Sequence, residues 1–130
     1  MANRISYNPA GYVDVIIEGE QSYMTFANLM REALDLLEQL QDEGKKRYGL
    51  MDITKQANYT ADTNKAAMEM LESITYDKLA IFGGGLVLTE VAKAIVLAMG
   101  KGSNTKIYKT KEQALEWLLE DEKKASPANA

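Results

Sequence analysis

The stretch from Lys78 to Gly85 constrains the fold more than any other part of the chain. Lys78–Phe82 is an apolar run too short for a helix, and three consecutive glycines follow it. A short apolar run closed by glycines predicts a buried strand. The most apolar segment with helical spacing, from about Val87 to Met99, comes next. The centre of the chain is therefore predicted to be a strand, a glycine turn and an apolar helix.

Further strands and helices are predicted on both sides of this unit. Two β-prone runs, Arg4–Asn8 and Tyr12–Glu18, flank the turn signal Pro9–Gly11 and predict a hairpin. The other predicted elements are a helix from about Thr25 to Glu43, a strand at Tyr48–Ile53, a helix capped by Thr60 or Asp62, a strand at Thr105–Lys109 and a helix capped by Thr110. The order ββαβαβαβα predicts an α/β fold with a mixed, mostly parallel sheet, an opening β-hairpin and four helices.

Composition limits the classes of function that the chain can serve. Residues 1–122 are the size of one domain, and residues 123–130 have the composition of a disordered tail. Cysteine and histidine are both missing, which excludes cysteine nucleophiles, histidine acid–base catalysis and ordinary zinc sites. The net charge of −4 disfavours nucleic acid as a partner. The longest apolar stretch, Val91–Met99, is shorter than the ~20 residues of a membrane span. We therefore expect a cytoplasmic protein without a cofactor.

Three features of the chain resemble the SpoIIAA-like branch of the STAS domain superfamily. The first is the opening hairpin followed by a glycine and a long helix. The second is the apolar strand ending in Phe82-Gly83, where this branch has a Val-Ala-Ile-Val-Gly type strand. The third is Ile107–Leu118, which is similar to this branch's last strand and a helix of the form Glu-Glu-Ala-Leu-Ala-Trp-Leu. The resemblance covers roughly residues 3–121 and implies a STAS-like fold.

The resemblance also implies two kinds of function. Better-known STAS proteins are anti-sigma-factor antagonists, switched by phosphorylation of a Ser or Thr at the start of the helix after the third strand. Asp52-Ile53-Thr54 is similar to the residues that precede their Asp-Ser-Ser-Gly motif, but that motif itself is missing here. Thr60 and Thr63 are the candidate phosphoacceptors, and helix capping is the alternative role for both. Other members of the branch resemble the lipid-binding lobes of transfer proteins, which implies an apolar ligand.

The glycine turn and the carboxylates are the remaining candidate sites. Gly83, Gly84 and Gly85 precede a helix, where backbone amides attract anions, but the third glycine of a dinucleotide motif is replaced by Leu88. The alternative is close packing of strand, turn and helix. Carboxylates near strand ends include Asp14, Glu18, Glu20, Asp52 and Asp62, and their spacing does not predict convergence, so no metal site is predicted.

The apolar helix carries the most specific prediction. Leu88, Val91, Ala92, Ile95 and Met99 are predicted to form its core stripe, with Val96 at the edge of the arc. Its apolar arc spans roughly 200°, more than a helix with one buried face requires. A contact surface formed by Leu86, Val87, Ala94 and Leu97, most simply in a twofold homodimer, is therefore predicted. Cover by the fourth helix or the tail is the alternative.

Together these patterns predict a non-enzymatic, STAS-like regulatory or protein-interaction module whose protein partner is not identified. A phosphorylation switch is predicted at Thr60 or Thr63. The alternative function is a carrier or sensor for an apolar or anionic small molecule. An apolar pocket of ~300 Å³ or more would favour that alternative.

Overall fold

The computed structural model describes residues 3–57 and 60–121. These residues form β1 (Arg4–Asn8), β2 (Tyr12–Gly19), α1 (Tyr23–Asp42), β3 (Tyr48–Gln56), α2 (Ala61–Ser73), β4 (Lys78–Phe82), α3 (Leu86–Ala98), β5 (Thr105–Tyr108) and α4 (Lys111–Leu118). The predicted order of strands and helices and the α/β class are confirmed. The predicted tail at 123–130 lies outside the described residues, so the domain boundary stays a prediction.

The sheet has the strand order β1-β2-β3-β4-β5. β1 pairs with β2 in antiparallel fashion, and the other neighbours are parallel. Each parallel strand is added next to the one before it, so the chain always advances in the same direction across the sheet. Since such crossovers are right-handed, they place their helices on the same face. This accounts for the position of α1, α2 and α3 together on one face.

Two hydrophobic cores form on opposite faces of the sheet. The larger core lies under α1, α2 and α3 and includes Val15, Met51 and Ile81. The smaller core lies under α4 and includes Leu50 and Phe82, among others. Because neighbouring strand residues point to opposite faces, β3 and β4 supply both cores. This explains why Lys78–Phe82 reads as a continuous apolar run rather than an alternating one.

The third strand is longer than predicted. It extends to Gln56 instead of ending at Ile53, because Lys55 and Gln56 pair with Glu18 and Gly19 of β2 after an irregularity in the register. The sequence predicts an end at Ile53 because Thr54 and Lys55 are polar.

Hydroxyl side chains define the starts of three helices. Ser22 Oγ accepts a hydrogen bond from the Thr25 amide, so α1 begins at Tyr23, two residues before the predicted start. Thr60 caps α2 in the same way. Thr110 Oγ1 accepts from the Gln113 amide at 3.2 Å and caps α4, as its sequence predicts. Such caps satisfy amides that the first turn leaves without intrahelical partners.

Candidate interaction surface

The glycine turn holds the start of α3 against the end of β3. Gly83 has φ of +91°, and a Cβ there would collide with Thr54 Oγ1. A Cβ at Gly84 would lie 2.8 Å from Ile53 Cδ1. Close packing and a positive φ together require glycine at position 83, whereas a side chain at position 84 would have to displace the end of the Ile53 side chain. A Cβ at Gly85, by contrast, would point into open space.

The same turn leaves the first amides of α3 without a side-chain cap among the described residues. Gly85 is the N-cap and has no side-chain acceptor. The hydroxyl of Thr89 instead donates to the Gly84 carbonyl at 3.0 Å, which fixes the turn from within. Backbone conformation and close packing therefore explain Gly83, and Gly84 lies against Ile53. The anion-binding role of Gly83, Gly84 and Gly85 stays a prediction.

The two candidate phosphoacceptors form one capping structure at the start of α2. Thr60 Oγ1 accepts from the Thr63 amide at 3.2 Å, and Thr63 Oγ1 accepts from the Thr60 amide at 2.6 Å. Thr60 is exposed, whereas Thr63 is 1% exposed. A kinase could reach the Thr60 hydroxyl without unfolding the helix start, but not the Thr63 hydroxyl. Phosphorylation of either residue stays a prediction, and the geometry favours Thr60.

The four residues of the predicted contact surface are all exposed on α3. Leu86 is 81% exposed, Leu97 79% and Val87 57%, and Ala94 is also exposed. At 100° per residue, Leu86 and Leu97 lie within about 20° of each other, with Ala94 and Val87 along one flank. The surface formed by Leu86, Val87, Ala94 and Leu97 is called the α3 surface below.

The predicted core stripe of α3 is wrong in one respect. Val96, expected at its edge, is the residue of α3 that is buried, at 6% exposure. The predicted core positions Leu88, Val91, Ala92, Ile95 and Met99 are half-buried. The helix is therefore rotated and less deeply seated than its apolar pattern indicates. Hydrophobic periodicity predicts that the middle of an apolar arc faces the core. It does not predict which edge of a wide arc also packs against the core.

Two small apolar cavities lie inside the larger core. One of about 70 Å³ lies between α2, α3 and the sheet, next to Phe26, Met70 and Ile95. The other, of about 50 Å³, lies under α1 and α2. Both are well below the ~300 Å³ of a typical small-molecule site. The first still matters, because it lies directly beneath the half-buried side chains of α3.

One cluster on the opposite face was missed in the sequence. Lys78 Nζ lies 4.8 Å from the centre of the Trp117 ring and 3.1 Å from the Trp117 carbonyl oxygen. It also pairs with Glu120 at 3.6 Å and Asp121 at 3.2 Å. These contacts attach α4 to β4. A lysine at the start of an otherwise apolar strand was the available signal, but its partners lie about 40 residues away in the chain.

Acidic groups in the described part of the chain form no cluster of three or more that could hold a metal ion. Asp52 Oδ1 accepts from the Thr54 amide at 2.8 Å and closes a local turn. Asp14 accepts from the Asn8 side chain at 3.1 Å. The pKa of Glu43 is lowered mainly by its hydrogen bond with Lys45, on the surface. Burial raises the pKa of Tyr76. The partners of Asp52, Asp14 and Glu43 are all close to them in the chain, so these contacts stabilise local structure.

Comparison with known proteins identifies the fold. Neither the family models nor the curated proteins that were compared match the chain. A solved structure from Shewanella loihica PV-4, an uncharacterized protein of the DUF3478 family described as having a SpoIIAA-like fold, matches with a TM-score of 0.60 and 18% identity. The match covers 90% of this chain and 92% of that one. The chain therefore has a SpoIIAA-like fold, as the sequence resemblance implies.

One observation bears on membranes. Across residues 3–57 and 60–121, no helix combines the length and apolar character needed to cross a bilayer.

Proposed function

We propose that the chain is a non-enzymatic, SpoIIAA-like interaction module that regulates a protein partner in the cytoplasm through the α3 surface. The observation that carries the proposal is the exposure of Leu86 and Leu97, at 81% and 79%, on one side of a helix. Large apolar side chains grouped on one face are typical of protein contacts. The glycine turn supports the same role, because it gives this face a fixed position relative to the sheet.

Thr60 provides a switch for this module. Phosphorylation would add about two negative charges at the start of α2, where free amides and the helix dipole favour an anion. Thr63 and Asn64, in the first turn of α2, line the same cavity as Leu88 and Val91 of α3. A charge placed at the start of α2 therefore lies close to the helix that carries the α3 surface, and we expect it to alter binding there.

In-cell photo-crosslinking tests the proposal. A photo-crosslinking amino acid replaces Leu97 in the full chain, expressed in its own host. In a matched control it replaces Asp35, an exposed residue of α1. We expect a discrete protein adduct from position 97 and none from position 35, with Thr60→Glu changing the yield of that adduct. Position 97 giving no protein adduct would contradict the interaction function. An unchanged yield for Thr60→Glu would contradict the switch alone.

A second candidate function is a carrier for an apolar small molecule, favoured by the cavity of about 70 Å³ under α3. Since α3 is held mainly by half-buried side chains, a small outward movement would enlarge that cavity. Native mass spectrometry of protein purified from its own host tests this candidate. A co-purifying apolar molecule that is lost in an Ala92→Trp variant, which fills the cavity, would support the carrier. Ligand-free protein would favour the interaction module.

A further inference from the structure

The exposed side of α3 carries a symmetric pattern of residue types. Four residues form this pattern, at steps of four, three and four positions along the chain: Leu86, Glu90, Lys93 and Leu97. The pattern is symmetric about the midpoint between Val91 and Ala92. At 100° per residue the four positions fall within about 60° of one another and form one stripe. All four are exposed, with the Glu90 and Lys93 side chains at 65% and 55%.

We infer that this stripe binds a second copy of the same chain, with the two α3 helices antiparallel about a twofold axis. A twofold axis at the midpoint places Leu86 against Leu97 of the partner subunit. It also places Glu90 against Lys93 of the partner subunit, and each contact occurs twice. Val87 and Ala94 lie on the same flank of the stripe, where Val87 approaches Ala94 of the partner subunit. This inference rests on the proposed role of the α3 surface in binding protein and names its partner.

Charge selects the antiparallel arrangement. A parallel pair would place Glu90 against Glu90 of the partner subunit and Lys93 against Lys93 of the partner subunit, both repulsive. In one chain, Lys93 Nζ lies 4.0 Å from Glu90 Oε1 on the open surface. Antiparallel pairing would surround each charge with two opposite charges, and such networks contribute more than isolated surface pairs.

Two other occupants fit the stripe less well. A lipid surface would have to desolvate Glu90 and Lys93 at the centre of the apolar face, which is unfavourable. The chain segment 122–130 contains no Leu, Ile, Val, Met or aromatic residue with which to cover Leu86 and Leu97. A second α3 supplies both the apolar ends and the complementary charges.

The size of the contact predicts a dissociable dimer. A helix of 13 residues is about 20 Å long and about 10 Å wide. The helix pair therefore covers less than the ~800 Å² per partner of a standard stable interface. We expect dimerisation to depend on protein concentration, and sedimentation equilibrium from micromolar to near-millimolar protein measures it.

Charge reversal on the full chain tests the pairing. Glu90→Lys alone and Lys93→Glu alone each make both cross-pairs repulsive, so we expect the dimer Kd to rise about tenfold. Mixing the two variants restores both pairs in the heterodimer, and the double variant restores them in the homodimer. Glu38→Lys, an exposed charge reversal on α1, is the matched control and should leave Kd unchanged. Leu97→Glu should abolish dimerisation, whereas Met24→Glu, at another exposed apolar position, should not.

Cysteine crosslinking tests the register, because the chain has no cysteine of its own. An oxidised mixture of Leu86→Cys and Leu97→Cys chains should form a covalent heterodimer. Each variant alone should not crosslink, since the antiparallel register separates like positions by about 16 Å along the helix. Crosslinking of each variant with itself would overturn the antiparallel arrangement.

The outcomes separate this inference from the proposed function. A wild-type chain that stays monomeric over the whole concentration range overturns self-association. If position 97 still crosslinks to a different protein in cells, the interaction function stands. If the monomer instead binds vesicles of phosphatidylcholine and phosphatidylglycerol through Leu97, and no protein adduct forms, both fail. Rescue of dimerisation by the mixed charge variants supports self-association directly.

Discussion

The helices α3 and α4 reverse the usual relation between apolar sequence and burial. α3 has 13 residues, of which ten are apolar, and Val96 is its buried residue. α4 has eight residues and a more polar sequence, yet Ala114 and Leu118 are both 0% exposed. Apolar content therefore does not decide how deeply a helix packs in this protein.

Position in the fold explains the difference. α4 packs across the middle of its face and contacts β3, β4 and β5. α3 lies toward the β5 edge of the other face and contacts β5 and α2. A helix at the edge of a sheet has fewer neighbours, so its surplus apolar side chains remain available to another molecule. We therefore expect buried side chains of α4 to contribute more to stability than the exposed side chains of α3.

The largest difference between α3 and α4 is expected when a leucine is truncated on each helix. Leu118→Ala should lower the free energy of unfolding by about 2–5 kcal/mol, because it opens a cavity in the smaller core. Leu97→Ala should change it by no more than about 0.5 kcal/mol, since the side chain is on the surface. Urea unfolding at low protein concentration measures both. Equal losses for the two variants would mean that α3 is packed as firmly as α4.

A second prediction concerns how α3 is held at its start. Gly83→Ala should destabilise the fold by about 1–3 kcal/mol, because a Cβ collides with Thr54 and the backbone has positive φ. Gly85→Ala is the matched control, with φ of −65° and open space around the added atom. We expect a change of at most about 1 kcal/mol there. Comparable effects at both glycines would show that the turn does not position α3.

The connection from α3 to β5 gives a third, smaller effect. Tyr76 and Thr105 share a buried hydrogen bond of 2.6 Å, and Lys101, just after α3, lies over the Tyr76 ring. Tyr76→Phe should cost about 1 kcal/mol at neutral pH. Thermal unfolding of both proteins measures this loss.

The same tyrosine predicts a pH dependence. Burial raises the pKa of Tyr76 above its ordinary value of 10.0, and the hydrogen bond with Thr105 partly opposes the rise. The folded state therefore holds this proton more tightly than the unfolded state. The contribution of protonated Tyr76 to stability is fully present below pH 10.0 and is lost as pH rises through the pKa of the folded state. Tyr76→Phe should remove the part of the stability loss at alkaline pH that ionisation of Tyr76 causes. An identical alkaline profile in the variant would contradict this origin.

The smallest effect tests the missing cap of α3. Gly85→Asp would supply a carboxylate acceptor for the first amides of α3, and the backbone at Gly85 is already extended. We expect stabilisation by a few tenths of a kcal/mol, as for other glycine N-caps. Hydrogen exchange should show slower opening of α3 amides, with α4 amides unchanged as the internal control. Faster exchange in α3 would indicate that the open helix start is needed for packing.

Local patterns predicted much of the architecture. The strand at Lys78–Phe82 and its glycine turn, the capping role of Thr110 and the order of strands and helices all depend on near neighbours in the chain. The exposure of Leu86 and Leu97 was also predictable, because α3 has more apolar surface than one face can bury. The true end of β3 was not, since it depends on pairing with Glu18 and Gly19 of another strand.

Helix and strand periodicities, turns and caps arise from residues close together in the chain. They suffice for the α/β class and for the excess of apolar residues in α3. Which face each helix covers and which edge of α3 packs depend on contacts between distant segments, as does the exposure of Thr60 beside the buried Thr63. The tertiary structure also brings Lys78 to Trp117. These features depend on the strand order and on packing between distant segments, whose free energies are not encoded in any local pattern.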